Sequence, residues 1–117
     1  MFTPSVALLH RAPFQGLKMS SEIQWVWHQG QLVQWSAARA HVTTHALHYG
    51  TAIFEGIRAH GSPRGPQFFR LGDHLRRFAE SARLHRMQLP CSMEQVRQAC
   101  HAVITANRLE ADRKSVV

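Results

Sequence analysis

Three histidines, His41, His45 and His48, are spaced by four and three residues, which places their imidazole rings on one side of a helix. Side chains in that arrangement can bind a single zinc ion, for which neutral imidazole is a common ligand. Against a metal site, no acidic residue lies between the histidines to act as a base, and Tyr49 and Gly50 then change the local structure. The pattern leaves two interpretations open, a metal site and a run of turn residues.

A pair of basic side chains, His74 and Arg77, falls in the first turn of a helix that we predict to begin at Asp73. Backbone amides at a helix start favour anions, and an arginine there can donate two hydrogen bonds to phosphate oxygens. The alternative is a solvated basic face shared with Arg76 and Arg83. The residue types alone favour that alternative.

Residues 51–59 alternate in character, as in a strand whose successive side chains point to opposite faces. One face combines an aromatic ring, small residues and a cation: Ala52, Phe54, Gly56 and Arg58. Such a mixture suits a ligand better than a hydrophobic core. The other face carries Ile53, Glu55 and Ile57, and we expect it to be buried except at Glu55.

The remaining reactive residue types match no common catalytic pattern. No serine lies in a Gly-x-Ser-x-Gly sequence, and neither Gly-x-Gly-x-x-Gly nor a phosphate-binding loop occurs. Cys91 and Cys100 are nine residues apart, which fits neither Cys-x-x-Cys nor a disulfide framework and indicates a reducing, cytoplasmic compartment. Because Cys100 lies on the apolar stripe of a predicted helix, we interpret it as a small buried hydrophobic residue.

The composition is typical of one small soluble domain. The 117 residues are 44% hydrophobic and 18% charged, and no apolar run approaches the about 20 residues that a membrane-spanning helix requires. The 14 basic and 7 acidic residues give a net charge of +7, a balance that suits nucleic acid or another anionic partner. Since the cations are spread along the chain and not clustered, we do not expect nucleic-acid binding.

The elements that position these side chains begin with β structure. Gln29 and Gly30 supply a hairpin turn, and Gly50 ends a short helical segment over residues 41–49. The pattern predicts four strands, at residues 23–28, 32–35, 51–59 and 67–71.

Two helices follow these strands. One is predicted from an N-cap at Asp73 to about Met87, with an apolar stripe at helical spacing. The next begins after Ser92, whose side chain and that of Gln95 can form a reciprocal capping box. The fold class is therefore α+β, with an antiparallel sheet that includes a hairpin and is followed by two helices.

Residues 41–58, HVTTHALHYGTAIFEGIR, closely resemble the N-terminal signature of branched-chain amino-acid aminotransferases, which are pyridoxal 5'-phosphate enzymes of fold type IV. The resemblance extends back to the hairpin and forward through FRLGDHLRRF at residues 69–78. It implies the small N-terminal domain of that family over residues 21–109. We expect residues 1–20 to be a disordered leader and residues 110–117 to be an unmatched tail.

The resemblance implies an enzyme of branched-chain amino-acid biosynthesis that transfers an amino group from leucine, isoleucine or valine to 2-oxoglutarate. By its position in a His-x-x-Arg element, Arg77 matches the family's arginine that holds the cofactor phosphate. The segment on the substrate side is matched by Tyr49, Phe54, Gly56 and Arg58. The family's pocket is completed across a homodimer, so Tyr49 can serve the partner's site. Because this signature belongs to a non-metal enzyme, it favours turn residues over metal ligands at His45 and His48.

Members of the family bind the cofactor covalently through a lysine in a larger domain, and neither Lys18 nor Lys114 lies in that sequence context. The resemblance therefore implies a fragment that contains no catalytic residue and is inactive alone. D-amino-acid aminotransferases and aminodeoxychorismate lyases share fold type IV and remain alternatives, although the sequence FEGIR favours the branched-chain type. A non-catalytic basic binding domain is the alternative outside this class.

Overall fold

The computed structural model describes residues 23–109, so the predicted leader and tail, residues 1–20 and 110–117, lie outside the described residues. The elements follow in this order: β1 (Trp25–His28), β2 (Gln31–Gln34), a single 3-10 turn (Trp35–Ala37), α1 (His45–Tyr49), β3 (Ala59–His60), β4 (Gln67–Phe68), α2 (Leu71–Leu84) and α3 (Met93–Ala106). This order confirms the predicted α+β class, with small antiparallel sheets followed by two helices.

The first hairpin forms at the predicted turn. Gln29 and Gly30 have φ angles of 49° and 86°, the left-handed values that a tight two-residue hairpin turn requires. The turn sets an antiparallel register in which Trp25 lies opposite Gln34 and the strands pair as far as the turn. Glycine adopts this conformation at little cost, which explains why the turn forms here.

The predicted strand at residues 51–59 is correct in its side-chain alternation but wrong in its hydrogen bonding. Even-numbered residues from 52 to 58 are exposed, whereas Glu55 and Ile57 are buried. Within the described part of the chain, this segment joins a sheet only at β3, where Ala59 pairs with Phe68 of β4. A strand needs a neighbour for its N–H and C=O groups, and residues 51–57 have none among the described strands; the Arg58 carbonyl accepts from the Phe69 amide at 3.4 Å.

The N-cap of helix α2 lies three residues before the predicted one. Asp73 is not the N-cap; Arg70 occupies that position with a left-handed φ of 52°. The Asp73 carboxylate, in the first turn, instead accepts hydrogen bonds from Arg70 and Arg76. Burial of Leu71 explains the earlier start, because the helix must include this residue to place it in the core. The helix also ends earlier than predicted, at Leu84.

Helix α3 begins with the predicted capping box. The Ser92 hydroxyl accepts from the Gln95 amide at 3.2 Å, and the Gln95 side chain accepts from the Ser92 amide at 2.8 Å. Cys100 is 1% exposed and packs with Ile57, Leu71 and Leu75, which confirms its role as a small buried hydrophobic residue. Among the described residues, no helix has the length and apolar character needed to cross a bilayer.

The side chain of Asn107, at the end of α3, connects the hairpin to the helix through hydrogen bonds. Its Oδ1 accepts from the amides of Gln24 and Trp25 at 2.7 and 2.9 Å. Its Nδ2 donates to the carbonyls of Trp25 and Val103 at 2.7 and 2.8 Å. The carboxamide thus satisfies both its donor and its acceptor groups while it joins the start of β1 to the end of α3.

Candidate functional site

A buried carboxylate, Glu55, lies at the centre of the candidate site. The residue is 8% exposed, which corrects the expectation that it would be the exposed exception on its face. Arg77 donates to it through Nε, at 2.8 Å from Oε2, and through Nη2 to Oε1. The Nδ1 atom of His74 lies 2.8 Å from Oε1. Segment 51–58 and helix α2 are therefore joined by one carboxylate with two basic partners.

These contacts determine the charge of Glu55. The hydrogen bond from Arg77 lowers the pKa of Glu55 to about 2, and the bond with His74 acts in the same direction, while burial opposes both. Glu55 is therefore ionised at neutral pH despite its burial. Since an ionised carboxylate can only accept hydrogen bonds, His74 carries a proton on Nδ1.

Arg77 keeps one side of its guanidinium free for another ligand. Glu55 engages Nε and Nη2, whereas Nη1 and the second hydrogen of Nη2 make no hydrogen bond with a described residue. The Arg77 side chain is 68% exposed, so an anion can reach this edge from solvent. The Nη1–Nη2 edge has the fork geometry that binds two oxygens of a phosphate or carboxylate.

Arg77 lies further into the helix than the sequence predicts. Because α2 begins at Leu71, Arg77 is in its second turn, beyond the free amides of the helix start. The predicted contribution of those amides to anion binding is therefore wrong for Arg77. Any anion at this arginine depends on side-chain donors.

The other arginines near Arg77 have acidic partners on α2 itself. An open groove of about 700 Å³ runs along this part of the helix and is lined by Arg70, Asp73, Arg76, Arg77, Ala79, Glu80 and Arg83. Arg70 and Arg76 contact Asp73 three residues away along the chain, and Arg83 contacts Glu80 at the same spacing. Exposed pairs of this kind contribute little to stability. Arg77 differs because its partner is buried and comes from another segment.

The four residues predicted for the substrate side are all exposed. Tyr49 and Phe54 are 74% and 89% exposed, and Gly56 and Arg58 also face solvent. A methyl group added at Gly56 would meet no atom of the described residues within 4 Å. Phe54, Gly56 and Arg58 share the face opposite Glu55, so Arg77 approaches the same segment from its other side. Their roles toward a substrate remain predictions.

An apolar hollow of about 260 Å³ is lined by residues of this segment and of the two helices. Its walls are Ile53, Phe54, Glu55, Ile57, Leu75, Phe78, Val96 and Cys100. Beside this hollow, Ile57 packs with Leu71, Leu75 and Cys100 in the core, so the segment contacts both helices.

The three histidines around α1 bond to their own segment. Nδ1 of His41 accepts from the Thr43 amide at 3.2 Å, and Nε2 of His48 donates to the Val42 carbonyl at 2.7 Å. The ring of His45 lies 4.8 Å from that of Tyr49. Across residues 23–109, no three His, Cys, Asp or Glu side chains converge as metal ligands. These contacts support the interpretation as turn residues.

The sequence motif identifies Arg77 but does not reveal that Glu55 is its partner. The signal was present, because an acidic residue on an otherwise apolar face is seldom buried without a basic partner. The neighbouring residues do not identify that partner, because Glu55 and Arg77 are 22 residues apart in the sequence. His74 was grouped with Arg77 as a basic side chain, and the structure places both on the same carboxylate.

Residues 52–116 match the model of a protein family described as amino-transferase class IV. The chain is 44% identical over 86 residues to a branched-chain-amino-acid aminotransferase of Pseudomonas aeruginosa, covering 74% of this chain and 28% of that protein. It is 40% identical over 90 residues to the protein of the same name from Escherichia coli, covering 77% of this chain and 29% of that protein.

The chain is also similar to solved structures of branched-chain amino acid aminotransferases. The branched-chain amino acid aminotransferase of T.th., complexed with N-(5'-phosphopyridoxyl)-L-glutamate, matches with a TM-score of 0.73 and 39% identity. The match covers 76% of this chain and 30% of that one. The chain therefore spans a little under a third of the length of the relatives that it resembles.

Proposed function

Because this chain belongs to the amino-transferase class IV family, we propose that it forms the cofactor-phosphate and substrate-facing part of a branched-chain amino-acid aminotransferase. The reaction transfers the amino group of leucine, isoleucine or valine to 2-oxoglutarate. The curated relatives carry this name, which favours the branched-chain type over D-amino-acid aminotransferases and aminodeoxychorismate lyases.

The geometry of Arg77 carries this proposal. Its guanidinium is held by Glu55 on one side and is open on the other, which fits a phosphate group approached from solvent. The T.th. relative was solved with a phosphopyridoxyl compound, which supports pyridoxal 5'-phosphate as the cofactor here. Bound pyridoxal 5'-phosphate supplies the electron sink for the transfer of the amino group, and the protein orients it. In this assignment Arg77 binds the phosphate and holds the cofactor in place.

The exposed face of residues 52–58 is assigned to the substrate. Phe54 offers an apolar wall for a branched side chain, Gly56 leaves space beside it, and Arg58 supplies a cation for a carboxylate. Exposed aromatic rings such as Phe54 and Tyr49 are typical of surfaces that are covered by a ligand or another part of a protein. We assign Tyr49 to the partner's pocket in a homodimer.

A chimera tests the proposal directly. Residues 23–109 replace the matching segment of the Pseudomonas aeruginosa relative, so that the remaining parts of the site are supplied by a protein 44% identical over the replaced region. We expect the chimera to bind pyridoxal 5'-phosphate and to transfer the amino group of leucine to 2-oxoglutarate. The rate is measured with leucine, D-alanine and aminodeoxychorismate as alternative substrates.

The matched control is the same chimera with Arg77→Ala, which should bind the cofactor more weakly. Faster turnover with D-alanine or aminodeoxychorismate than with leucine would contradict the branched-chain assignment. A folded chimera whose cofactor affinity is insensitive to Arg77→Ala would contradict the role of this arginine.

A further inference from the structure

We propose that Glu55 is a positioning residue that sets the direction of the Arg77 guanidinium for the phosphate. This inference rests on the proposed function, because it concerns how the phosphate-binding arginine is held. It goes beyond that function by assigning a role to Glu55, a buried acid that contacts Arg77 and His74.

The orientation of the Arg77 guanidinium follows from its paired bonds to Glu55. Glu55 binds Arg77 through two donors, Nε and Nη2, and its two carboxylate oxygens each take one of them. Two parallel bonds fix both the position and the plane of a guanidinium, whereas a single bond would leave it free to rotate. Once this edge is fixed, the direction of the Nη1–Nη2 edge is also fixed.

The Glu55 carboxylate is a rigid anchor for Arg77. The Glu55 side chain is 6% exposed and is adjacent in space to a core that contains Ile57 and Leu75. His74 makes a further hydrogen bond to Oε1, so the carboxylate is held from two directions. The exposed pair of Arg83 and Glu80 lacks such an anchor, because both of its side chains reach into solvent. A guanidinium on a buried anchor loses less conformational freedom when it binds an anion.

The charge of Glu55 opposes phosphate binding at Arg77. Glu55 is ionised, and its negative charge weakens the attraction of Arg77 for a phosphate. A buried acid at this position would therefore be unfavourable for anion binding if charge alone mattered. For Glu55 to favour phosphate binding, the benefit of fixing the guanidinium must exceed the attraction lost to its negative charge. Removing the charge of Glu55 should therefore decrease the preference for phosphate and not increase it.

The test uses the full chain and two probes, pyridoxamine 5'-phosphate and pyridoxamine, which differ only in the phosphate. Nuclear magnetic resonance titrations that follow the backbone amide signals of helix α2, which are present in every variant, give the dissociation constant of each probe. The ratio of the two constants is the phosphate preference. The variants are Glu55→Gln and Glu55→Asp, with Glu80→Gln as the matched control on an exposed pair.

We expect Glu55→Gln to reduce the phosphate preference about tenfold, because the amide NH₂ of glutamine faces an Arg77 donor and disrupts the paired bonds. Glu55→Asp keeps two acceptor oxygens and should retain part of the preference. Glu80→Gln should leave it unchanged. A purely structural role for Glu55 would lower the stability of the fold without changing the ratio between the two probes.

Three results would contradict the inference. If Arg77→Ala abolishes the phosphate preference but Glu55→Gln keeps it, the positioning role is wrong and the proposed function stands. If the wild-type chain and Arg77→Ala show the same preference, the phosphate assignment of Arg77 fails and the inference fails with it. If Glu55→Gln does not fold, Glu55→Asp decides, and an undiminished preference in that variant contradicts the positioning role.

Discussion

The buried carboxylate of Glu55 and the exposed guanidinium of Arg77 are joined by paired hydrogen bonds between segments that are 22 residues apart in the sequence. The pair links the segment assigned to the substrate with the helix assigned to the cofactor phosphate. Changes to either residue should therefore affect both the stability of the fold and the binding of a phosphate.

The stability of the chain should depend on pH through Glu55. Its pKa is lowered from 4.5 to about 2 in the folded chain, so the unfolded state binds more protons between these values. The stabilisation is fully present above about pH 4.5 and is lost as the pH falls toward 2. Urea denaturation at pH 3 and pH 6 should show a larger decrease in unfolding free energy for wild type than for Glu55→Gln. Equal decreases in both proteins would contradict the assignment of this titration to Glu55.

Lysine should not replace Arg77. A lysine keeps the positive charge but has no fork, so it cannot bind Glu55 and a phosphate through two separate edges. In the chimera we expect Arg77→Lys to weaken pyridoxal 5'-phosphate binding by about 10-fold to 100-fold, the range expected for loss of one hydrogen bond to a charged group. Equilibrium dialysis of the cofactor measures this change. Unaltered affinity in the lysine variant would show that charge alone is sufficient.

Asn107 should contribute strongly to stability. Substitution by alanine removes the side chain that bonds the amides of Gln24 and Trp25 and the carbonyl of Trp25. We expect Asn107→Ala to lower the unfolding free energy by about 2–4 kcal/mol, because these groups lose their partners. Asn107→Asp keeps the acceptor and should cost less.

The control for this prediction is Thr105→Ala, an exposed change in the same turn of α3, which should alter the unfolding free energy by less than about 0.5 kcal/mol. Chemical denaturation of the full chain gives all three values. If Asn107→Ala is no more destabilising than Thr105→Ala, the three hydrogen bonds from Asn107 to Gln24 and Trp25 do not hold the hairpin on the helix.

Gly56 should matter for activity and not for the stability of this chain. A side chain at this position meets no described atom within 4 Å, so Gly56→Ala should change the unfolding free energy by less than about 0.5 kcal/mol. In the chimera, Gly56→Leu should fill the space assigned to the substrate and lower kcat/KM for leucine by at least about tenfold. Full activity of the leucine variant would remove Gly56 from the substrate side.

The sequence alone determined the local features of this protein. Gln29 and Gly30 turn the hairpin, and Ser92 with Gln95 caps α3, because each motif is completed within four residues. The alternation over residues 51–59 also gave the correct exposed face, since side-chain direction along an extended segment follows residue number. The same locality made Arg77 recognisable, because the resemblance depends on a short run of residues around it.

The tertiary structure decided everything that depends on contacts between distant segments. It buried Glu55 against Arg77 and His74, although the sequence marked Glu55 as the exposed exception. It moved the start of α2 to include Leu71, and it paired only the end of the predicted third strand. Propensity and periodicity describe neighbours along the chain, whereas the partner of a buried charge or an extended backbone is chosen by packing in three dimensions.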